Sequence, residues 1–456
     1  SMAILHETIM SLPHINIKGA FDSPITGVSI DTRSLNAGDL FVAFIGSLVD
    51  GHDYIPKAIS RGASAVMAST SWDGCEAWEV SIPLIITDDP VQSLADLAAK
   101  HRDLFEIPII AVTGTNGKTS TKNLLAHILA RRYSVLSTEG NFNNHIGLPL
   151  TLLNLNETHE MAVIEMGASQ KGDIKYLCEI ARPTQGVITN ISLAHTEFFQ
   201  TLDMIQATKG ELFEYLQEHS GQVFVNLDDD LVAELGSTTR NPVSYSFYEP
   251  CDNFYGLTGP DVKGCYDLHF QNVQAHLNQA GKVIGFNAGA AVTIAINNGI
   301  NLEQIQQSLG DYSGEKGRMS HELIKGIDFY NDAYNANPAS VKAGFETISG
   351  LPVDSRKILV FADMLELGAT SETLHIIAAE QMLAFGFDHI ILFGKETKFC
   401  ANRLEEQGFD SYFHSTDKPE CIQHFLNALT VGDLVYLKGS RSMELEAFIV
   451  AYKEVD

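Results

Sequence analysis

Cysteine is scarce in this sequence, and the six cysteines among its 456 residues are widely separated. None belongs to a C-x-x-C pair, so the spacing favours buried thiols in a reducing compartment over a disulfide framework or a zinc site. No apolar run is long enough to span a bilayer, and the N-terminus shows neither the basic segment nor the apolar core of a signal peptide. We therefore expect a cytoplasmic protein without membrane insertion.

Basic residues are also in short supply, with 30 lysines and arginines against 57 aspartates and glutamates and a formal net charge of −27. This excess of negative charge argues against nucleic acid or an anionic membrane surface as a partner. It does not exclude an anionic substrate, because the lysines, arginines and Mg²⁺ within a cleft decide what the cleft binds. With 45% hydrophobic residues the chain can bury several cores, and its length predicts about three domains.

Short apolar runs alternate with helical patterns along the chain, which predicts the α/β class. We expect a first, mixed α/β domain over residues 1–105, with strands at 28–30, 40–45, 65–68 and 83–87. Asp89 and Pro90 are typical of the cap and the first position of a helix, which is predicted to run to about Phe105. This domain has no cluster of reactive side chains, so we expect it to bind a ligand rather than to react with one.

A central domain is predicted over residues 106–318. Its apolar runs at 109–113, 162–164, 186–188 and 223–225 and its helical patterns at 173–181 and 202–217 favour a mostly parallel sheet with helices on both faces. A third domain, residues 319–456, begins with a hairpin that turns at Lys325-Gly326 and continues with strands at 357–361, 389–393 and 434–437. We expect a second doubly wound, Rossmann-like sheet there, without a G-x-G-x-x-G dinucleotide motif.

The most informative motif lies between the strand 109–113 and a helix predicted from Lys118 to Arg132. This phosphate loop consists of Gly114, Thr115, Asn116, Gly117, Lys118, Thr119 and Ser120. A glycine-rich turn at a helix N-terminus directs backbone N–H groups at a phosphate, with Lys118 at the β- and γ-phosphates and the Thr119 hydroxyl on Mg²⁺. Strict Walker A spacing has a glycine where this chain has Val112, so the alternative is an ordinary strand-to-helix turn.

Further polar residues lie just after predicted strands, where the ligands of parallel sheets gather. Glu165 is a candidate Mg²⁺ ligand, the alternative being a solvated acid at a strand end. His195 is a candidate ligand or a structural loop histidine. Arg318, near the boundary of the third domain, could clamp a phosphate through its guanidinium group.

Four other positions have equally ordinary alternatives. Lys438 and Arg441 lie in a strand-end loop with two cations, which suits a carboxylate or a phosphate. Asp332 precedes a segment whose asparagines and proline are typical of a helix start. The alternative for Asp332 is therefore a structural role in a cap and turn. Lys209 lies in a helical pattern, where lysine is ordinarily solvated, and composition gives no reason to single it out.

Taken together, these motifs resemble those of the Mur ligases, the ATP-dependent amide-forming enzymes of peptidoglycan synthesis. The resemblance covers nearly the whole chain and rests on the segments 31–33, 38–42, 50–53, 113–119, 141–144, 146–149, 165–167, 189–190, 194–195, 209–211, 317–318, 332–338, 363–368 and 438–441. The family's phosphate loop has this shortened Thr-Gly-Thr-Asn-Gly-Lys-Thr form, so the missing glycine at Val112 is expected. The resemblance implies that the first domain holds a nucleotide sugar, the central domain ATP and the third domain the incoming substrate.

The resemblance also implies ligands for ATP and two Mg²⁺ ions. Asn116, Lys118 and Arg318 would contact the phosphates, and Asp332 the ribose. Lys209 would be carbamylated by CO₂ and would then act as an anion near the second metal ion. The implied metal ligands are Thr119, Glu165, His195 and carbamylated Lys209, and the implied catalytic residues are Lys118, Lys209, His195 and Glu165.

Asn287 is expected on the adenine side of the nucleotide. The family commonly has a His-Asn pair shortly before this asparagine, and this chain has Val283 and Ile284 there, which leaves the adenine contacts open. The resemblance further implies that Thr32 and Arg33 bind the uridine nucleotide. The residues implied to frame the two substrates are Asn143, Asn144, Tyr334, Asn335, Asn337, Lys438 and Arg441.

The implied reaction joins UDP-N-acetylmuramoyl-tripeptide to D-alanyl-D-alanine through an acyl phosphate made from ATP, and the expected protein is a monomer. Within the family, the alternative is the ligase that adds the third amino acid. Folate polyglutamylating ligases share the phosphate loop but would not explain residues 1–105. Outside the ligases, the alternative is a non-catalytic ATP switch that binds a cell-wall protein.

Overall fold

The computed structural model describes residues 4–194, 196–198 and 201–456. Within these ranges the strands form three sheets that follow one another along the chain, with helices packed around them. The predicted three-domain α/β fold is confirmed. Among the described helices, none combines the length and the apolar character needed to cross a membrane.

The first sheet has five strands in the order β1-β5-β4-β3-β2, and only β1 runs antiparallel to its neighbour. The predicted helix after Asp89 is present, and the Asp89 carboxylate accepts a hydrogen bond from the Gln92 N–H as its cap. The elements are α1 (His6–Met10), β1 (Ile15–Lys18), β2 (Gly27–Ser29), β3 (Asp39–Val42), α2 (Ile55–Ser60), β4 (Ala65–Ser69), β5 (Leu84–Thr87) and α3 (Pro90–Arg102).

The second sheet has nine strands in the order β14-β13-β12-β11-β10-β9-β6-β8-β7. Its strands are β6 (Ile109–Thr113), β7 (Val135–Ser137), β8 (Met161–Glu165), β9 (Gln185–Ile188), β10 (Gln222–Asn226), β11 (Val243–Ser246), β12 (Asn253–Thr258), β13 (Cys265–Phe270) and β14 (Val273–Ala280). The helices around it are α4 (Lys118–Leu129), α5 (Gly147–Leu152), α6 (Asp173–Ala181), α7 (Leu202–Glu218), α8 (Asp230–Gly236), α9 (Val283–Asn297) and α10 (Leu302–Asp311).

Both faces of this sheet are buried, as the apolar β6 predicts. Ile109 and Ala111 pack into the core shared with the first domain, whereas Ile110 and Val112 pack into the core under α4 and α9. Alternate residues of a strand point to opposite faces, so a strand covered on both sides reads as a continuous apolar run. The sequence analysis did not predict the antiparallel pairing of β12, β13 and β14, which extends the parallel part of the sheet.

The third sheet has the order β15-β16-β20-β17-β18-β19, with β15 antiparallel and the other strands parallel. The hairpin predicted at Lys325-Gly326 is confirmed, and both residues have the positive φ of its tight turn. The elements are β15 (Ser320–Ile324), β16 (Ile327–Asp332), α11 (Pro338–Ser349), β17 (Lys357–Ala362), α12 (Ser371–Ala384), β18 (His389–Phe393), α13 (Lys398–Glu406), β19 (Tyr412–Ser415), α14 (Lys418–Ala428), β20 (Leu434–Lys438) and α15 (Glu446–Glu454).

Strand order and register bring polar residues together at two sheet edges. In the second sheet β6 lies between β8 and β9, so the end of β6 lies beside Glu165 on one side and Ile188 on the other. In the third sheet Asp332 at the end of β16 is the partner of Lys438 at the end of β20. In parallel sheets the carboxyl edge is where ligands bind, so these two edges define the region that contains the site.

Candidate active site between the second and third sheets

A cavity of about 1060 Å³ lies between the carboxyl edges of the second and third sheets. It is large enough for a nucleotide together with part of a second substrate. The second sheet and its loops contribute the phosphate loop and the residues around Asn143 and Glu165. The lining residues from the third domain and its junction are Arg318, Asp332, Tyr334, Asn335, Ser340, Glu366, Lys438 and Arg441.

The phosphate loop is held open by its neighbours. Gly114 has a φ of +141°, and a Cβ on it would lie 2.0 Å from the Thr189 hydroxyl, so no other residue fits there. Asn190 accepts hydrogen bonds from the N–H groups of Thr115 and Asn116. Gly117, at a φ of +80°, begins α4 without a capping side chain. The first turn of α4 therefore presents uncapped N–H groups and the positive end of the helix dipole to an anion.

A buried group of oxygen ligands lies next to this helix N-terminus. The Thr119 hydroxyl donates to the Glu165 carboxylate, with distances of 3.0 and 3.1 Å to its two oxygens. The Asn143 amide donates to the same carboxylate at 2.9 Å, and Lys122 lies 4.0 Å from it. Carboxylate and hydroxyl oxygens beside a phosphate site are the donors that Mg²⁺ prefers, so these residues fit a Mg²⁺ ion shared with bound phosphates.

Two lysines approach this group. Burial lowers the pKa of Lys118, while nearby Glu165 raises it and Arg318 lowers it further. Lys209 of α7 is only 3% exposed, and its amine has no hydrogen-bond partner among the described residues. Burial, then the charge of Lys118, hold the pKa of Lys209 well below its usual range, although Asp173 and Glu165 oppose this. The expectation of an ordinary solvated helix lysine is therefore wrong.

The third domain and its junction with the central domain contribute a cationic wall. The Tyr334 ring lies 3.9 Å from the guanidinium carbon of Arg318 and 5.0 Å from that of Arg441. Both arginines line the cavity, so the aromatic ring gathers two guanidinium groups beside the same space. Deeper in the wall, the Asp332 carboxylate accepts hydrogen bonds from the Tyr436 hydroxyl at 2.6 Å and the Lys438 amine at 3.0 Å.

Direct contacts join the second and third domains around the cavity. The side-chain amides of Asn116 and Asn337 exchange two hydrogen bonds, of 3.2 and 2.6 Å. Elsewhere the Thr196 hydroxyl donates to the Leu367 carbonyl at 2.8 Å, and the Glu197 N–H donates to the Glu366 carbonyl at 3.0 Å. The two domains that form the walls of the cavity are therefore in contact at both places.

Comparison with known proteins agrees with this geometry. The Mur ligase family catalytic-domain model matches residues 24–102, the Mur ligase middle-domain model matches 112–295, and the Mur ligase glutamate-ligase-domain model matches 317–441. The UDP-N-acetylmuramoyl-tripeptide–D-alanyl-D-alanine ligase of Bacillus subtilis is 33% identical over 455 residues, with 95% of each chain covered. The chain belongs to the Mur ligase family.

Solved Mur ligase structures have the same three-domain arrangement. A crystal structure of MurF from Acinetobacter baumannii superposes with a TM-score of 0.84 at 28% identity, covering 95% of this chain and 94% of that one. The MurF ligase of Thermotoga maritima, solved in complex with ADP, has a TM-score of 0.81 at 26% identity, covering 94% of this chain and 97% of that one.

Most of the site residues predicted for this Mur ligase lie at the cavity. The predicted residues that line it are Thr115, Asn116, Gly117, Lys118, Thr119, Asn143, Asn144, Glu165, Arg318, Asp332, Tyr334, Asn335, Lys438 and Arg441. Gly114 shapes the phosphate loop, and Ser120 is buried in the first turn of α4. Asn337 is buried rather than lining the cavity, because its side chain caps α11 and pairs with Asn116.

Three other predicted residues of the Mur ligase, Asn287, Thr32 and Arg33, are not among those that line the cavity. Asn287 is buried against the phosphate loop, where a Cβ on Gly117 would lie 2.4 Å from its amide oxygen. Thr32 is buried in the first domain, and exposed Arg33 forms an ion pair with Asp31 at 2.8 Å. His195 lies outside the described residues. The roles implied for all of the predicted site residues stay predictions.

Lys122 is a residue at the Mur ligase site that the sequence analysis missed. Its amine donates to the Thr138 carbonyl and lies 4.0 Å from Glu165, and its side chain is 1% exposed. Burial lowers its pKa, and Glu165 raises it. Its spacing in the sequence could have indicated this position, because a lysine four residues after Lys118 lies on the same face of α4.

Proposed function

We propose that this Mur ligase uses ATP to join D-alanyl-D-alanine to UDP-N-acetylmuramoyl-tripeptide, releasing ADP and phosphate during peptidoglycan precursor synthesis. The main support is one observation. A phosphate loop from the central domain and a cationic wall of Arg318 at the domain junction with Lys438 and Arg441 of the third domain border the same cavity. A ligase needs this arrangement, because ATP and a second anionic substrate must meet in one space. The Bacillus subtilis relative bears the name of this activity.

In the first step, a carboxylate oxygen of the tripeptide attacks the γ-phosphorus of ATP. The bond from that phosphorus to the oxygen bridging to the β-phosphate breaks, giving an acyl phosphate and ADP. Both reactants are anionic, so cations must offset their repulsion. Lys118 and the uncapped N–H groups of α4 would face the phosphates, and Arg318 lines the same cavity from the domain junction.

In the second step, the free amine of D-alanyl-D-alanine attacks the acyl carbon. The amine loses a proton, and phosphate leaves from the tetrahedral intermediate. No protein nucleophile is needed, so positioning and charge stabilisation provide the catalysis. Arg441 and Lys438 suit the dipeptide carboxylate, and Tyr334 and Asn335 border the same wall.

One Mg²⁺ ion would be held by Thr119 and Glu165, and a second by His195 and Lys209. These ions would neutralise charge at the phosphates. Lys209 would serve as its carbamate. A buried amine with a strongly lowered pKa is present partly as the neutral base, which is the form that reacts with CO₂. The product is a carboxylate-like group near the cation of Lys118.

We assign the first domain to residues 1–105 and propose that it holds the uridine nucleotide through Thr32 and Arg33. The central ATP-binding domain would comprise residues 106–318 and the acceptor domain residues 319–456. The three sheets, within 15–87, 109–280 and 320–438, fit inside these bounds. We further propose that the enzyme acts as a monomer in the cytoplasm, where ATP is available.

Phosphate release tests the proposal. Purified protein is incubated with ATP, Mg²⁺ and UDP-N-acetylmuramoyl-tripeptide, with D-alanyl-D-alanine or single amino acids as acceptors. We expect continuous phosphate release and an amide product only with the dipeptide. Turnover with a single amino acid on a dipeptide-bearing precursor would indicate the ligase for the third residue, and ATP hydrolysis independent of both substrates would indicate a switch.

A further inference from the structure

A second group of metal-binding side chains lies outside the cavity described above. Asp261, Cys265 and His276 each offer one ligand atom, and these three atoms lie within 4.8 Å of one another. Within the described ranges, no other group of three or more His, Cys, Asp or Glu residues meets this criterion. The group lies on β13, on β14 and on the turn before β13, in the antiparallel extension of the second sheet.

The turn before β13 holds Asp261 in place. One of its carboxylate oxygens, Oδ1, accepts hydrogen bonds from the N–H groups of Lys263 and Cys265, both at 2.9 Å. The other oxygen, Oδ2, lies 3.8 Å from Nε2 of His276. The register of β13 and β14 shifts between Cys265 and Asp267, and Asp267 becomes the partner of His276. This irregularity places the thiol, the imidazole and the free carboxylate oxygen together.

A second carboxylate orients the imidazole. Oδ1 of Asp267 lies 2.8 Å from Nδ1 of His276. The other oxygen of Asp267, Oδ2, accepts a hydrogen bond from the Gln274 side-chain amide at 2.7 Å, and the oxygens of a carboxylate can only accept. Nδ1 must then bear the proton, which leaves a lone pair on Nε2, the atom near Asp261. Histidines that bind metal in proteins are usually held by this kind of contact.

We propose that Asp261, Cys265 and His276 bind one zinc ion, with a water molecule at the fourth position. Sulfur, imidazole and carboxylate ligands together suit Zn²⁺ better than Mg²⁺ or Ca²⁺, which prefer oxygen alone. The side chains of Asp261 and His276 are 43% and 49% exposed, so they can close the remaining distance to the buried thiol. Because only one of the three proposed ligands is a cysteine, C-x-x-C spacing does not reveal this site.

The ion would stabilise a contact between the central and third domains. The Lys263 carbonyl, within the same turn, accepts a hydrogen bond from the Tyr330 hydroxyl of the third domain at 3.1 Å. A Cβ on Gly264 would lie 2.6 Å from the side chain of Leu351, also in the third domain. Fixing both ends of this turn would therefore fix the surface against which the third domain packs. The thiol proton of Cys265 would pass to solvent on binding.

Cobalt substitution tests the site, because a thiolate bound to Co²⁺ gives a charge-transfer absorption band that oxygen ligands do not. Co²⁺ is titrated into the full chain with excess Mg²⁺ present, and Zn²⁺ is then added as a competitor. We expect one equivalent of Co²⁺ to produce the band and Zn²⁺ to abolish it. Absence of the band at stoichiometric Co²⁺ would overturn the proposal.

Variants identify the ligands. Cys265→Ser should abolish the band, and His276→Gln and Asp261→Asn should weaken binding strongly. Asp267→Asn should lower the affinity for Zn²⁺ by roughly 10- to 100-fold, as expected when a supporting carboxylate is lost. The controls Cys251→Ser and His269→Gln change a cysteine and a histidine of the same sheet region and should bind like the wild type.

Because the side chain of His276 is exposed, its substitution should not impair folding. His276→Gln should unfold at the same temperature as the wild type without metal and should lose only the stabilisation by added Zn²⁺. Retention of the band in Cys265→Ser, or its loss in Cys251→Ser, would overturn the assignment. The assay measures metal binding alone, so its outcome is independent of the proposed ligase activity.

Discussion

Asn116 of the phosphate loop and Asn337 at the start of α11 are 221 positions apart in the chain and exchange two side-chain hydrogen bonds. Asn337 also caps α11 by accepting from the Ser340 N–H at 3.0 Å. One residue therefore caps the start of a helix of the third domain and joins that domain to the ATP loop. This contact makes domain closure and the shape of the ATP site interdependent.

Asn337→Ser should separate these two roles. Serine is a good helix cap, so α11 should persist, but both amide bonds to Asn116 are lost. Two neutral hydrogen bonds are worth about 1–3 kcal/mol in total, which should shift the protein toward an open arrangement. Solution scattering should show a larger radius of gyration for Asn337→Ser, and substrates with an ATP analogue should reduce it. An unchanged profile would mean that the amide pair does not control closure.

Lys209→Ala should remove most ligase activity, because it removes the proposed carbamate. A short carboxylic acid added to the assay should restore part of that activity, since it can occupy the space and supply the same charge. The matched control is Lys342→Ala, which removes an exposed lysine on α11. Rescue that also occurs with a short primary amine would contradict a carboxylate role.

The buried amine of Lys209 should also influence stability. Its pKa is held well below the usual 10.5, so between the folded-state pKa and 10.5 the unfolded chain binds a proton that the folded chain does not. Lys209→Met should therefore raise the free energy of unfolding at neutral pH, and the gain should shrink as pH rises toward 10.5. Denaturant unfolding in CO₂-free buffer at several pH values measures this. A gain that is constant with pH would contradict a neutral lysine.

Tyr334→Leu should release the two guanidinium groups of Arg318 and Arg441 from their shared ring. We expect kcat/KM to fall roughly 5- to 30-fold, or about 1–2 kcal/mol, the size of desolvated cation–π contacts. Tyr334→Phe retains the ring and should stay close to the wild type. Steady-state kinetics with each substrate varied in turn would measure this, and equal losses in both variants would show that the hydroxyl rather than the ring is needed.

Glu165→Gln should raise the Mg²⁺ concentration needed for half-maximal activity by at least about 10-fold, because a neutral amide replaces the buried carboxylate. Titration of phosphate release with Mg²⁺ measures the change. Glu346→Gln alters an exposed glutamate of α11 and serves as the control. Wild-type activity that needs no Mg²⁺ would contradict the metal assignments for Thr119 and Glu165.

Local patterns predicted the parts of the fold that depend on neighbours in sequence. Asp173–Ala181 was predicted as a helix and is α6, and the hairpin at Lys325-Gly326 is present. The β12–β14 extension was missed, although residues 273–280 alternate between buried and exposed positions in the manner of a strand.

The sequence by itself determined the phosphate loop, because its glycines, its lysine and the following helix are contiguous and their chemistry is local. It also determined the family, because the motifs follow one another over nearly the whole chain. Only the tertiary structure decided that Lys209 is buried beside Lys118, that Tyr334 lies against two arginines and that Asn337 reaches Asn116. Burial, pKa and pairing depend on which distant segments pack together, and the spacing of residues in one chain does not specify this.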